Sequence, residues 1–121
     1  MVAQLTDLTI RSAVSAWIND PTEARNTYGD ISAWDTSQVT DMKELFNYCT
    51  NFNDNIDGWN VDKVTTMNSM FYGASTFNQN IGNWNVDNVN DMYSMFGNAS
   101  AFNGNISQWK VDNVNDMRSM F

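Results

Sequence analysis

The chain has 121 residues, with 6 Lys+Arg against 14 Asp+Glu, no His and a net charge of −8. That balance excludes a phosphate-reading nucleic-acid face and attachment to an anionic membrane, and it removes the commonest general base and metal ligand. A single Cys excludes an intrachain disulfide, and 42% hydrophobic against 17% charged residues excludes a disordered acidic tail.

Taken in chain order, residues 1–11 hold no apolar run of signal-peptide length, and no window approaches a membrane span. Ile10, Ala13, Val14, Trp17 and Ile18 follow helical spacing. Thr6 or Asp7 is placed to cap that helix, and Asp20-Pro21 ends it. Pro21 then opens a short helical turn over 22–26, and Tyr28-Gly29-Asp30 leads onward. Residues 1–30 are therefore expected to form an N-terminal helical cap.

From residue 31 the chain repeats. Ile31, Ile56, Ile81 and Ile106 recur every 25 residues, as do Trp34, Trp59, Trp84 and Trp109. Val39, Met42 and Phe46 recur in the same register through Val114, Met117 and Phe121. The units are 31–55, 56–80, 81–105 and a partial 106–121. A 25-residue unit cannot bury its own apolar face, so stacked coils must share one core and each invariant position becomes a ladder. The Met and Trp excess is those ladders, counted once per coil.

Within a unit, apolar residues at 39, 42, 45, 46 and 49 predict a two-turn helix with Thr40, Thr65, Asn90 and Asn115 at its start. The stretch around Ile56 predicts a very short extended segment, which would stack from coil to coil into a parallel sheet. The expected fold is thus an α/β repeat solenoid, leucine-rich-repeat-like, with one short strand and one short helix per coil.

The pattern Val-Thr-Asp-Met-x-x-Leu/Met-Phe-x-x-Cys/Ala-x-x-Phe-Asn-x-Asn-Ile-x-x-Trp resembles the BspA-like leucine-rich-repeat surface proteins over residues 31–121. The lead-in Trp-Ile-Asn-Asp-Pro before Tyr-Gly-Asp-Ile-Ser resembles that family too. The resemblance implies an extracellular or cell-surface location and a role in adhesion or recognition. It offers no catalytic residues to carry over, and it implies no cofactor.

Residue by residue, the structural reading outweighs the chemical one. The Trp ladder could stack sugar rings, but its invariance assigns it to sealing the core. The Met pairs read as core. Asn53, Asn78 and Asn103 read as a buried amide ladder that satisfies backbone groups of neighbouring coils. Asp35, Asp41, Asp62, Asp87 and Asp112 raise calcium, yet no Gly-rich Asp motif accompanies them, so no metal site is assigned. Cys49 reads as a buried, inert thiol.

The expected function is a non-catalytic interaction module binding a protein or glycan partner. Its candidate strip follows the extended segment: Ser32, Asp54, Asn55, Asp57, Gln79, Asn80, Asn105 and Ser107. A second strip is Lys43, Asn68, Tyr93 and Arg118, with Tyr48 and Tyr72 nearby. The alternatives are a structural spacer or stalk and a glycosidase-like enzyme; the latter needs one irregular coil with an isolated carboxylate pair, which no coil provides. The apolar stop at Met117, Met120 and Phe121 reads as a piece of a longer protein, and an uncovered end of this kind would favour end-to-end homodimers.

Overall fold

The computed structural model describes residues 3–121, so the first two residues of the expected cap lie outside the described residues. Helix α1 spans Ile10–Asn19 and α2 spans Pro21–Tyr28, and a single 3-10 turn follows at Ile31–Ala33. Helix α1 buries Ile10, Ala13, Val14 and Trp17 against the first coil, the face its spacing foretold. Its first turn differs from expectation. Thr9 is the N-cap and makes no side-chain capping bond, while Asp7 points elsewhere. Asp20 ends α1 and caps α2, accepting from the Glu23 N–H at 3.2 Å with Pro21 at the first turn.

The repeats stack in register, and the aromatic rings give the clearest measure of it. Phe46, Phe71, Phe96 and Phe121 form one column with centroids 5.6, 5.7 and 5.6 Å apart. Phe52, Phe77 and Phe102 form a second, and within each coil the two rings lie 4.1 Å apart and nearly parallel. Met42, Met67, Met70, Met92 and Met95 are fully buried beside them.

The backbone is not that of the α/β leucine-rich-repeat-like solenoid. Among the described residues there is neither a helix after residue 33 nor a strand, only isolated parallel bridges along Asp41, Thr66, Asp91 and Asp116 and one between Gln4 and Asp35. The segment expected to be helical, Val39 to Cys49, is a run of linked turns. The N–H groups of Leu45, Asn47 and Cys49 return three residues to Met42, Glu44 and Phe46. The N–H groups between them, on Met42, Glu44, Phe46 and Tyr48, leave the coil and donate to the carbonyls of Thr66, Asn68, Met70 and Tyr72 at 2.6–3.1 Å. The next coil repeats this from Met67 to Gly73, and the one after from Met92 to Phe96. Half the amides therefore close local turns and half tie coil to coil, so all are satisfied without a helix or a sheet.

The third residue of the first turn in each coil, Glu44, Ser69, Ser94 or Ser119, has a positive φ of 52–59°. The third residue of the last turn, Tyr48, Gly73 or Asn98, does too. A positive φ there marks a type II turn. The expected strand around Ile56 is likewise absent; that corner is held by side chains instead.

Three such devices recur. Each indole N–H donates to a carbonyl one coil back: Trp59 to Ile31, Trp84 to Ile56 and Trp109 to Ile81, at 2.8–3.1 Å. Asn53 Oδ1 accepts from the Asn78 N–H, and Asn78 Oδ1 from the Asn103 N–H, both at 2.8 Å. These Asn residues lie at the surface rather than in the interior, although they make the inter-coil bond expected of them. Finally, Asp or Asn side chains at 35, 60 and 85, and Asp, Thr, Asp, Asp at 41, 66, 91 and 116, accept from the N–H two residues on. The abundance of Asn and Asp is mainly turn chemistry.

Candidate functional site

The strip along the expected strand is solvent-facing except for half-buried Gln79, and six of its eight residues use one side-chain atom to bond the chain itself. Asn55, Asn80 and Asn105 accept from the N–H groups of Asp57, Gly82 and Ser107 at 2.9–3.1 Å. Ser32 donates both its N–H and its hydroxyl to Asp30, at 3.0 and 2.7 Å. Those two bonds hold the Asp30 carboxyl below the ordinary range. Gln79 Nε2 donates to the Asn53 carbonyl at 2.8 Å, and Asp54 accepts from the Trp17 indole at 2.9 Å. Asp54 differs from Gln79 and Gly104 at the same register because only the first coil meets α1. The 25-residue register brings the strip together as an ordered surface in which the Asp57 and Ser107 side chains alone make no bond to the chain.

Beside the second strip lies a groove of about 550 Å³, lined by Tyr93 of that strip and by the nearby Tyr48 and Tyr72, but not by Lys43, Asn68 or Arg118. Each coil supplies one tyrosine: Tyr48 from the first, Tyr72 from the second, Tyr93 from the third. Tyr93 and Tyr72 are second residues of their turns, and Tyr48 is the left-handed third residue, so the turns aim all three at one face. Glycines make room for the rings. A Cβ at Gly73 would stand 2.8 Å from Tyr48 Cδ1, and one at Gly97 would stand 2.7 Å from Tyr72 Cδ2. The rings of Tyr48 and Tyr72 meet edge to face at 5.5 Å. Asn98 Nδ2 donates to Tyr72 Oη at 3.1 Å, and the Arg118 guanidinium lies 5.5 Å from the Tyr93 ring. Arg118 is itself gripped by Asp116 at 2.9 Å, and its hydrogen bonds and charge hold that carboxyl below the ordinary range.

This reciprocity of a ring in one coil and glycine at the same position in the next is visible in the sequence as Tyr48/Gly73 and Tyr72/Gly97, and it was the available signal for the groove. Glu44 is the one acidic side chain among its lining residues. Among the described residues no group of three or more His, Cys, Asp or Glu is placed to hold a metal ion.

The Trp ladder is not a platform. Trp34, Trp59, Trp84 and Trp109 are buried, with the indole N–H groups bonded to carbonyls. Cys49 is half-buried under α1, and burial pushes its thiol up, away from the reactive thiolate.

Two residues sit at the edge of the first coil: Asp7, expected as a cap of α1, and Arg11, to which the sequence assigned no role. Asp7 accepts from the Thr40 N–H, the Thr40 hydroxyl and the Asp41 N–H at 2.7, 2.6 and 3.1 Å. Arg11 donates to the Lys43 carbonyl at 2.7 Å and to Asp41 at 3.2 Å. Desolvation at this seam pushes the Asp7 carboxyl up, but the three hydrogen bonds and the Arg11 charge together outweigh it and hold it below the ordinary range.

No helix among the described residues is long and apolar enough to cross a membrane. No curated protein and no solved structure matches the chain. One family does match, over residues 15–121, from the middle of α1 through the whole stack; the chain belongs to the family described as Mycoplasma protein of unknown function, DUF285.

Proposed function

We propose that the chain is a non-catalytic interaction module of a cell-surface or secreted protein, and that a protein or glycan partner binds along the tyrosine groove. The observation that carries this reading is the contrast between the two strips. The groove presents three aromatic rings to solvent, whereas the Ser32–Ser107 strip presents none, and six of its eight side chains already bond the chain itself. Tyrosine is a favoured contact residue because it offers a large rigid surface and a polar tip at low entropic cost. The motif's resemblance to BspA-like surface repeat proteins supports the surface location and the adhesive role.

The test is an adhesion assay with the full-length protein displayed on cells. Tyr48→Ala and Tyr93→Ala should reduce adhesion, while Asp57→Ala and Ser107→Ala leave it intact. Equal adhesion by all four variants would overturn the groove reading. It would favour a second one, a spacer, for which the regular 5.6–5.7 Å ring spacing of the Phe46 column speaks.

A further inference from the structure

We infer that the tyrosine groove is a subsite for a neutral oligosaccharide chain lying across the coils. This rests on reading the protein as a binding module, and it names the class of ligand. Three features converge on it.

The first is exposed aromatic surface. One ring comes from each of three successive coils, and Tyr48 and Tyr93 are 67% and 37% exposed. Gly73 and Gly97 let two of the rings settle against backbone, where any side chain would displace them. Pyranose rings carry faces of C–H groups that pack on such surfaces. Successive coils stack 5.6–5.7 Å apart in the phenylalanine column beneath, and because the tyrosines stand at three different positions of the repeat, their rings are staggered across the groove.

The second is the kind of polar group present. Asn47, Ser69 and Asn98 line the groove; Asn47 Nδ2 donates to Glu44 and the Ser69 hydroxyl to Asn68, which leaves the amide oxygens of Asn47 and Asn98 free to accept from a ligand. The Tyr72 hydroxyl accepts from Asn98, which leaves its own proton to donate to a ligand. Amides and hydroxyls of this kind both donate and accept, as sugar hydroxyls do.

The third is charge. In a chain of net charge −8 the side chains lining the groove carry one charge, that of Glu44. Arg118 stands at the Tyr93 end, already paired with Asp116. An anionic polymer finds no row of cations here, and a basic peptide finds no cluster of carboxylates. A neutral, hydroxyl-rich chain with apolar faces fits both conditions.

The experiment titrates the protein, produced in bacteria so that the Asn98-Ala99-Ser100 sequon stays unmodified, with cellohexaose, chitohexaose, maltohexaose and an oligogalacturonate, followed by amide NMR. At least one neutral hexasaccharide should shift the signals of Tyr48, Tyr72, Tyr93 and Asn98, leave Ser32 and Asp57 unmoved, and outbind the anionic oligomer. Tyr48→Ala and Tyr93→Ala should each weaken that binding about tenfold, as loss of an aromatic anchor does. Because both side chains are exposed, unchanged melting temperatures will show that the variants fold. Gly73→Asn keeps the left-handed φ accessible but sets a Cβ against Tyr48, and it should weaken binding in the same direction. No shift with any neutral hexasaccharide, or equal binding by the tyrosine variants, overturns the inference. If saccharides fail while Tyr48→Ala still lowers full-length adhesion to a periodate-treated protein surface, the glycan assignment falls and the binding-module reading stands.

Discussion

The first coil and the interior coils meet the same backbone groups by different means. In the interior, the N–H groups of Thr65, Asn90 and Asn115 donate to the carbonyls of Thr40, Thr65 and Asn90, each at 2.8 Å. The first coil has no coil before it, and the Asp7 carboxylate takes the place of that carbonyl for Thr40. In the other direction, the carbonyls of Asn68, Tyr93 and Arg118 receive the N–H groups of Glu44, Ser69 and Ser94. At the equivalent Lys43, the Arg11 guanidinium is the donor. The ladder thus needs an acceptor and a donor at fixed points, and Asp7 just before α1 and Arg11 in its first turn supply them. A repeat's edge can be closed by imitating the next backbone rather than by covering it with apolar surface alone.

The largest break should come in the interior. Phe71 is fully buried between Phe46 and Phe96 and stacked on Phe77. Phe71→Ala should cost about 3–5 kcal/mol in denaturant unfolding, the range for large aromatic deletions in a packed core. A loss near 1 kcal/mol would mean the column collapses freely and the coils are not tightly coupled.

The comparison sharpens with tryptophan. Trp84→Phe removes one of the two donors to the Ile56 carbonyl, which keeps the Trp59 N–H at 3.2 Å, and in that buried corner should cost about 0.5–1.5 kcal/mol. Trp34→Phe breaks the matching bond in the first coil, where the acceptor is the partly exposed Gly29 carbonyl. Water can replace the indole there, so the loss should be smaller. Equal losses would show that the indole bond is not what distinguishes interior from edge.

Asp7 comes next. Removing its acceptors by Asp7→Ala should cost about 1–2 kcal/mol, as loss of a capping side chain does. The pH dependence fixes the mechanism. Because the folded-state pKa of Asp7 lies below its unfolded value, the native state binds fewer protons in acid. The stabilisation is fully present above about pH 4, the ordinary carboxylate range, and is lost as pH falls through the depressed folded value. Asp7→Asn should therefore flatten the acid limb of the stability profile and leave its neutral limb parallel to that of the parent chain. An unchanged acid limb would remove Asp7 from the account.

These residues also mark what the sequence could and could not disclose. Identical side chains at a fixed period must share an environment, so the register, the buried Trp and Met ladders and the amide bonds of Asn53 and Asn78 were legible. The local conformation was not. Apolar steps of 3, 3, 1 and 3 fit one face of a helix, but they fit equally a chain of turns that returns a side chain inward every third residue. What decides between them is the coil-to-coil bonding of alternate amides, a non-local pairing that leaves no mark on local propensity. Glu44, Ser69 and Ser94 take a left-handed φ without the glycine that would have announced it; only Gly73 and Asn98, at the position of Tyr48, hinted at it. The surface was misleading for a related reason. Asp54 varies from its counterparts, as a ligand-facing residue would, yet its partner is Trp17. The conspicuous Asn residues at 55, 80 and 105 are turn-makers, and the groove was encoded in the pairing of tyrosine with glycine one coil on.

Arg11 should show the smallest effect, and it tests whether the two edge substitutes act as one device. Its side chain and that of Asp41 are both about half exposed, so the ion pair at 3.2 Å is screened and contributes little. The bond to the Lys43 carbonyl is shorter, but water reaches that carbonyl once the guanidinium is gone. Arg11→Met keeps the aliphatic stem and should cost about 0.5 kcal/mol. Arg11 also contributes to holding the Asp7 carboxyl down. In a double-mutant cycle, Arg11→Met should then cost less in an Asp7→Asn background than in the parent chain, and the difference should shrink at high salt. Additive losses, insensitive to salt, would mean that donor and acceptor close the edge independently. Each would then be an imitation of one backbone group and not part of a pair.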